Sequence, residues 1–254
     1  MLALTPLEKF PFIQNGDDLL ECIIQSISST NIVLQDKDIL VLAQKIISKN
    51  EGRMVNLPSV RPSHDAYQIS SQSGKDARLV ELILQESKTV LRIRPGTIIV
   101  EHRLGFICAN AGIDHSNVTP ANLEAEDYVL LLPENPGLSA HIIREKIKIK
   151  SGIQLGVLII DSHGRAWRLG VVGVSIGFSG IPGLIDMRGQ SDLFGGKLRI
   201  TEIAAVDELA AAASLVMGQA AEGFPIVHVR GFPYPLREGN LNELIRPLEN
   251  DLFR

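Results

Sequence analysis

Four consecutive apolar residues, Val157-Leu158-Ile159-Ile160, run directly into Asp161-Ser162-His163-Gly164-Arg165-Ala166-Trp167-Arg168. An apolar run of this length ending in Asp-Ser and then Gly reads as a buried strand that delivers polar groups to a sheet edge. Two readings of the octet follow. The carboxylate and hydroxyl are hard oxygen ligands, and the histidine and two arginines complement negative charge, which suits a metal and phosphate site. Alternatively, the octet is a surface turn capped by Asp161 and anchored by burial of Trp167, the one tryptophan of the chain.

A chain of 254 residues with 45% hydrophobic and 21% charged content can bury a large core, as one big domain or two smaller ones. The formal net charge is −4, aromatics are 5%, and no Lys/Arg run is interleaved with stacking residues, so no nucleic-acid or membrane partner is expected. Cys22 and Cys108 lie far apart and outside any zinc spacing, which predicts reduced, buried thiols. The N-terminal residues lack a basic region followed by an apolar one, and no apolar run reaches membrane-spanning length. A soluble cytoplasmic protein is therefore expected.

Residues 17–29 carry Leu19, Leu20, Ile23, Ile24 and Ile27 at helical spacing behind Asp17 or Asp18 as cap. A buried strand is predicted at 38–43, leading into 44–52, where Lys45 and Lys49 sit four apart beside the strand end. The pattern of 76–91 predicts a helix stopped by Pro95-Gly96, and 97–100 a strand. Residues 109–127 read as a long polar loop, a place where function is often found. Further strands are predicted at 128–132 and 155–160, a helix at 139–149, an alanine-rich helix at 202–217 and a late strand at 225–229, before a surface-bound tail. The glycines between 170 and 183 match neither Gly-x-Gly-x-x-Gly nor a P-loop; alternating with Val and Ile, they predict a strand or hairpin with bulges.

Several separate pieces resemble one family, the GTP-dependent coenzyme F420-0:L-glutamate ligases, the γ-glutamyl ligases of deazaflavin coenzyme biosynthesis. They are Phe10-Pro11-Phe12-Ile13 with Gly16-Asp17-Asp18; Gln44 onward with Ser48-Lys49-x-Glu51-Gly52; Cys108-Ala109-Asn110-Ala111-Gly112-Ile113-Asp114 with Ser116-Asn117; and the octet from Asp161. Gly173-Val174-Ser175-Ile176-Gly177, Asp207-Glu208-Leu209-Ala210, Met217-Gly218-Gln219 and Val229-Arg230-Gly231 follow in order. No single piece is specific; their order and spacing together are.

The resemblance implies an α+β fold with mixed and antiparallel sheets, forming an intertwined homodimer. The chain would be one module over 1–254, with subdomains of 1–85 plus 200–254 and of 86–199. The chain ends at Arg254, so the nitroreductase-like domain fused to some actinobacterial relatives is expected to be absent. By the same resemblance Asp114 and Asp161 hold one divalent metal, Mg2+ or Mn2+, and Ser162 and Gln219 serve a second, with K+ as a further cofactor. Nucleotide contacts map to Phe10, Pro11, Phe12 and Ile13, to Gln44, Lys45 and Lys49, to Asn117, and to Met217, Gly218, Gln219, Ala220, Ala221, Glu222, Gly223 and Phe224. Arg165 and Arg168 are assigned here to the acceptor, by inference from their charge rather than from the motif.

The implied reaction passes the γ-phosphoryl of GTP to the carboxylate of coenzyme F420-0, giving an acyl phosphate that L-glutamate attacks, with GDP and phosphate released and a further γ-linked glutamate expected afterwards. Such chemistry depends on position and charge. Rival readings are a ligase of the same fold with another carboxylate acceptor, a non-catalytic GTP-binding module, and a metal-dependent phosphohydrolase. Three residues depart from the family's pattern: Ser162 stands where threonine is usual, Ala166 where proline is common and Met187 where an aromatic is common. Serine keeps the oxygen ligand while losing the methyl that restrains its rotamer.

Overall fold

The structure, a computed structural model, describes residues 1–118 and 127–251. Strand β1 (Ala3–Pro6) leads to α1 (Leu19–Ser29), whose N-terminus Asp18 caps by accepting the Glu21 N–H. Strand β2 (Ile39–Ala43) passes without a break into α2 (Gln44–Asn50), and β3 (Met54–Asn56), α3 (His64–Ser73) and α4 (Ala77–Gln85) follow. Next come β4 (Ser87–Arg94), β5 (Thr97–His102), β6 (Ile107–Ala109), β7 (Tyr128–Leu130) and α5 (Pro136–Ser151). The last third contains β8 (Gly156–Arg165), β9 (Arg168–Ser179), β10 (Ile185–Asp186), β11 (Glu202–Ile203), α6 (Ala205–Met217) and β12 (Ile226–Arg230).

The main sheet has the order β1-β12-β2-β8-β9, antiparallel throughout except where β2 pairs parallel with β8. Ile39, Leu40, Val41 and Leu42 are completely buried, because helices cover both faces of this pair. On one face Leu40, Leu42, Val157 and Ile159 pack with residues of α1 and α5; on the other Ile39, Val41, Leu158 and Ile160 pack with α6. Gly177 lets α5 lie directly on β9, since a Cβ there would come within 2.5 Å of the Gly137 N.

A third core gathers Leu57, Leu79, Val80, Ile83, Ile98 and Val129 under α3, α4 and the antiparallel sheet β4-β5-β6, drawing on both sides of position 85. Glu86 fastens this unit. Its carboxylate accepts from Arg53 Nη2 at 2.7 Å and Arg103 Nε at 2.9 Å and faces the fully buried His102, while Arg53 Nε also donates to Leu132 O and Arg103 Nη1 to Glu134 O. One carboxylate thus ties the end of α4 to the β5–β6 turn and to the segment after β7.

The mixed α+β character is as expected, although only one strand pair of the main sheet is parallel despite the helix-strand alternation. The helix predicted over 76–91 stops at Gln85, and Val90 and Leu91 belong to β4. The reason is nonlocal: Glu86 is captured by the two arginines, and the following residues pair with β5 across the Pro95-Gly96 turn. The strand predicted at 155–160 continues to Arg165, because β9 stays paired with it to the tip. Trp167 lies at that tip with φ of 63° and is 88% exposed, so it is not a buried anchor. The glycine-rich segment forms the bulged strand expected of it. Of the predicted loop 109–127, residues 119–126 lie outside the described residues, and the remainder includes a tight turn and the bridge of Asp114 to Leu130. Cys108 is buried and Cys22 partly so, both as free thiols. Among the described residues no helix is long and apolar enough to cross a membrane.

Although burial alone would raise it, the facing His102 ring and hydrogen bonds from Arg103 and Arg53 hold the Glu86 carboxyl at about 2 against an ordinary 4.5. A carboxylate depressed in the folded state adds stability above its unfolded value that is lost as pH falls towards the folded one. Chemical denaturation between pH 5 and 2 is expected to show a steep loss of stability, and Glu86→Gln to flatten it while lowering stability at pH 7.

Candidate functional site

Pairing of β2 with β8 ends at Ala43 opposite Ile160. Beyond that point β2 becomes α2 while β8 continues as a hairpin arm, so Gln44 and Lys45 leave the sheet beside Asp161 and Ser162. Crevices at the carboxyl ends of parallel strands are the common location of ligand sites in open sheets. Asp161 and Ser162 point to opposite faces of β8, as neighbours on a strand must.

Asp114 reaches this edge from another part of the chain. The turn before it places Asn110, Ala111 and Gly112 at φ of 50°, 53° and 65°, a left-handed run that costs a non-glycine residue roughly 1 kcal/mol or more. Asn110 Oδ1 supports the turn by accepting the Ile98 N–H, and Asp114 then exchanges both backbone hydrogen bonds with Leu130 at 2.9 Å. The Asp114 carboxylate accepts from Gln44 Nε2 at 2.6 Å and lies 3.2 Å from Lys45 Nζ. Gln44 is itself held, since its Oε1 accepts the Ser48 hydroxyl at 2.7 Å, one helical turn on.

The lysines secure the loop after Asp114. Lys45 Nζ donates to Ser116 O and Lys49 Nζ to Asn117 O, at 2.9 and 2.7 Å. The Asn117 side chain donates to Ala220 O at 3.0 Å, which brings the segment after α6 over the same site. That segment turns at Gly218, whose φ of 76° and ψ of −178° are open essentially to glycine alone. Gln219 accepts from Ser162 Oγ at 2.9 Å and donates to Ser214 Oγ at 2.9 Å.

The structure therefore brings together Gln44, Lys45, Lys49, Asp114 and Asn117 in one bonded group, and Ser162 with Gln219 in another. Of the N-terminal stretch, Ile13 is buried, Phe10 packs partly against the core and Phe12 is 92% exposed. Arg165 and Arg168 pair at the tip of the arm, four or more residues and about 13 Å of strand beyond Asp161, and Arg165 Nη2 donates to Leu169 O. Sequence reasoning gave Ser214 no part, quoted Ser48 only within a motif, and read His163 only as one of the octet's charge-complementing groups, not as a partner of Asp161. His163 was the readable one, because a residue two positions from Asp161 on a strand shares its face.

Electrostatics sets Asp114 apart. Burial pushes its carboxyl up to about 6, the Asp161 charge adding to the rise and Lys45 and Gln44 opposing it. Burial also pushes Lys49 below the ordinary lysine range, helped by the charge of Lys45. The Cys108 thiol is raised to about 12 by burial, with Asp161 contributing, so it is no nucleophile. Asp207, at the start of α6, is likewise raised by burial while its Oδ1 accepts the Ser175 N–H at 2.9 Å. Two mutually repelling, partly desolvated carboxylates, and the separate Ser162–Gln219 pair on the other face of β8, offer oxygen donors of the kind that fits a hard divalent cation. Among the described residues no three or more His, Cys, Asp and Glu side chains stand together as a ligand set for a metal ion, so any cation here would draw on hydroxyl, amide or ligand oxygens beside the two carboxylates.

The sequence profile of the F420-0:Gamma-glutamyl ligase family matches residues 8–231. The coenzyme F420:L-glutamate ligase of Methanothermobacter thermautotrophicus is 43% identical over 255 residues, covering 100% of this chain and 99% of the relative. That of Methanopyrus kandleri is 44% identical over 253 residues (98% of this chain and 95% of the relative), and that of Archaeoglobus fulgidus 40% over 249 residues, with the same coverage.

A carboxyl raised in the folded state disfavours the fold once ionised, so its stability cost is absent below the unfolded pKa and sets in as pH rises towards about 6. In cation-free protein Asp114→Asn is expected to raise the melting temperature at pH 8 by a few degrees, while abolishing any stabilisation by added Mn2+. Differential scanning fluorimetry with and without the metal reads both effects.

Proposed function

The chain belongs to the F420-0:gamma-glutamyl ligase family, and on that footing we propose that it is a GTP-dependent ligase joining L-glutamate to coenzyme F420-0, and then a further glutamate in γ linkage. The observation that carries this reading is the convergence of Asp114, Lys45 and Lys49 with the Asp161 edge at the end of the parallel strand pair. Forming an amide from a carboxylate in water requires activation, and the γ-phosphoryl of GTP supplies it. Transfer to the acceptor carboxylate gives an acyl phosphate and GDP. The glutamate amine then attacks the acyl carbon; the C–N bond forms, the bond to phosphate oxygen breaks, and the ammonium proton is released.

Lys45 and Lys49 add positive charge beside the triphosphate, and burial of Lys49 makes that charge count for more than it would in water. Gln44 and Asn117 fix the loop and the carboxylate against which the nucleotide is oriented. Asp114 with Asp161, and Ser162 with Gln219, would hold two divalent cations, Mg2+ or Mn2+, whose chemistry is to neutralise phosphoryl oxygens. K+ belongs to the same proposal. Arg165 and Arg168 are proposed to meet acidic groups of the acceptor. A homodimer belongs to the same proposal; the nearly full exposure of Leu169, Leu193 and Phe194 supports it, since a second copy would take such apolar side chains out of water.

Mass spectrometry of a reaction containing purified protein, GTP, Mn2+ or Mg2+, L-glutamate and coenzyme F420-0 is expected to show a glutamyl increment that needs every component. GTP loss without an increment would replace the reading with another acceptor or a phosphohydrolase, and no GTP loss would replace it with a binding module. Asp161→Asn should lower turnover by on the order of a hundredfold or more, because it removes an anionic ligand at developing charge. Lys49→Ala should raise the KM for GTP by about tenfold, the worth of one charge-assisted contact, with a smaller effect on kcat.

A further inference from the structure

Two positions beyond Asp161 on β8, His163 shares its face of the strand. Its Nε2 lies 3.0 Å from Asp161 Oδ2, and the side chains are only 12% and 10% exposed. The same Nε2 is buried and out of line for a hydrogen bond, so it has no hydrogen-bond partner. Buried ring nitrogens are rarely left in that state. The group within its reach is the Asp161 carboxylate, and the pair lacks alignment rather than distance.

The ring is braced from behind. Phe106 packs against it at 5.4 Å with planes tilted by 49°, and Phe106 in turn stacks on His102 at 5.1 Å and 4°. His102 is completely buried, its Nδ1 accepts the Leu104 N–H, and its other nitrogen faces Glu86, which Arg53 and Arg103 grip. An unbroken run of rings thus ends on the ion cluster that fastens the smaller core. Packing of this kind leaves His163 little freedom to swing away from Asp161.

We propose that His163 is a positioning residue: it engages one oxygen of Asp161 through Nε2–H and so orients the carboxylate towards Asp114 for a divalent cation. This rests on the metal role of Asp161 proposed above. Partners that hold a ligating carboxylate by hydrogen bonds are commonly worth 10- to 100-fold in metal affinity. Asp207 also feels the His163 ring, but only Asp161 places a carboxylate oxygen at 3.0 Å from Nε2 among the ion pairs of the described residues.

The test measures Mn2+ binding to the purified full chain by the EPR signal of free Mn2+, without GTP or acceptor, alongside melting temperature. His163→Phe keeps a ring against Phe106 and removes the donor; His163→Gln keeps a donor and removes the ring. His163→Met, a flexible apolar filler, is a second donor-free variant should the phenylalanine impair folding. The expected result is a Mn2+ dissociation constant about tenfold or more higher in His163→Phe and His163→Met, and within about threefold of wild type in His163→Gln. In turnover the Mn2+ activation constant should rise in the donor-free variants, with the KM for L-glutamate unchanged. Wild-type affinity in both donor-free variants would overturn the proposal. Equal losses in the glutamine and phenylalanine variants would also overturn it and make His163 a packing residue. A wild-type chain that binds no Mn2+ would overturn the metal reading as well; one that binds Mn2+ while the donor-free variants match it would overturn only the role of His163.

Discussion

Everything at the candidate site depends on the parallel pairing of β2 with β8. Both strands are buried on both faces, and their register aligns Ala43 with Ile160. A slip of one residue would exchange the faces of every side chain on the strand, moving apolar residues out of two cores at once. The register is therefore held by the hydrophobic effect over the whole pair, and the polar residues that follow inherit their positions from it. Gln44 and Lys45 on one strand's exit and Asp161 and Ser162 on the other's become neighbours without any need to attract one another.

Some of what converges there is unfavourable on its own. Two carboxylates repel at the sheet edge, and the loop bearing Asp114 runs through a left-handed turn. Such features persist where the surrounding fold over-determines them, and they cluster at functional sites. Here the support comes from the Asp114–Leu130 bridge, from Gln44 and Ser48 and from the two lysines. The result is a pair of acids and a pair of lysines held at one sheet edge, the arrangement on which the proposed metal and nucleotide roles rest.

The smaller core is coupled to this site by polar and aromatic contacts as well as by apolar packing. Glu86 binds Arg53 and Arg103, and through His102 and Phe106 the same cluster abuts His163 beside Asp161. Buried ionic groups of this kind gain strength in low dielectric only when all members are satisfied. Glu86 is satisfied by both arginines, while the facing His102 Nε2 and the Arg103 Nη2 are buried without a hydrogen-bond partner, so packing of the rings carries the contact from this cluster to the sheet edge.

The family was legible in the sequence, because the pieces around Lys49, Asp114, Asp161 and Gln219 keep the order of its motifs, and motif order survives whatever the fold does with it. Local signals also sufficed for α1, α5 and the bulged β9, where periodicity, capping residues and glycines act within a few positions. Tertiary structure alone decided the rest. Helix α4 ends at Gln85 because arginines 33 and 17 residues from Glu86 capture it. Asp161 and Ser162 divide between two faces because β8 outlives its parallel partner and continues with β9. Trp167 is exposed because it tops the arm rather than anchoring a turn, and His163 matters because of rings that come from β5 and the loop after it. A sequence determines which chemical groups are present and the local shapes they favour; which groups share a volume depends on long-range pairing that no short window contains.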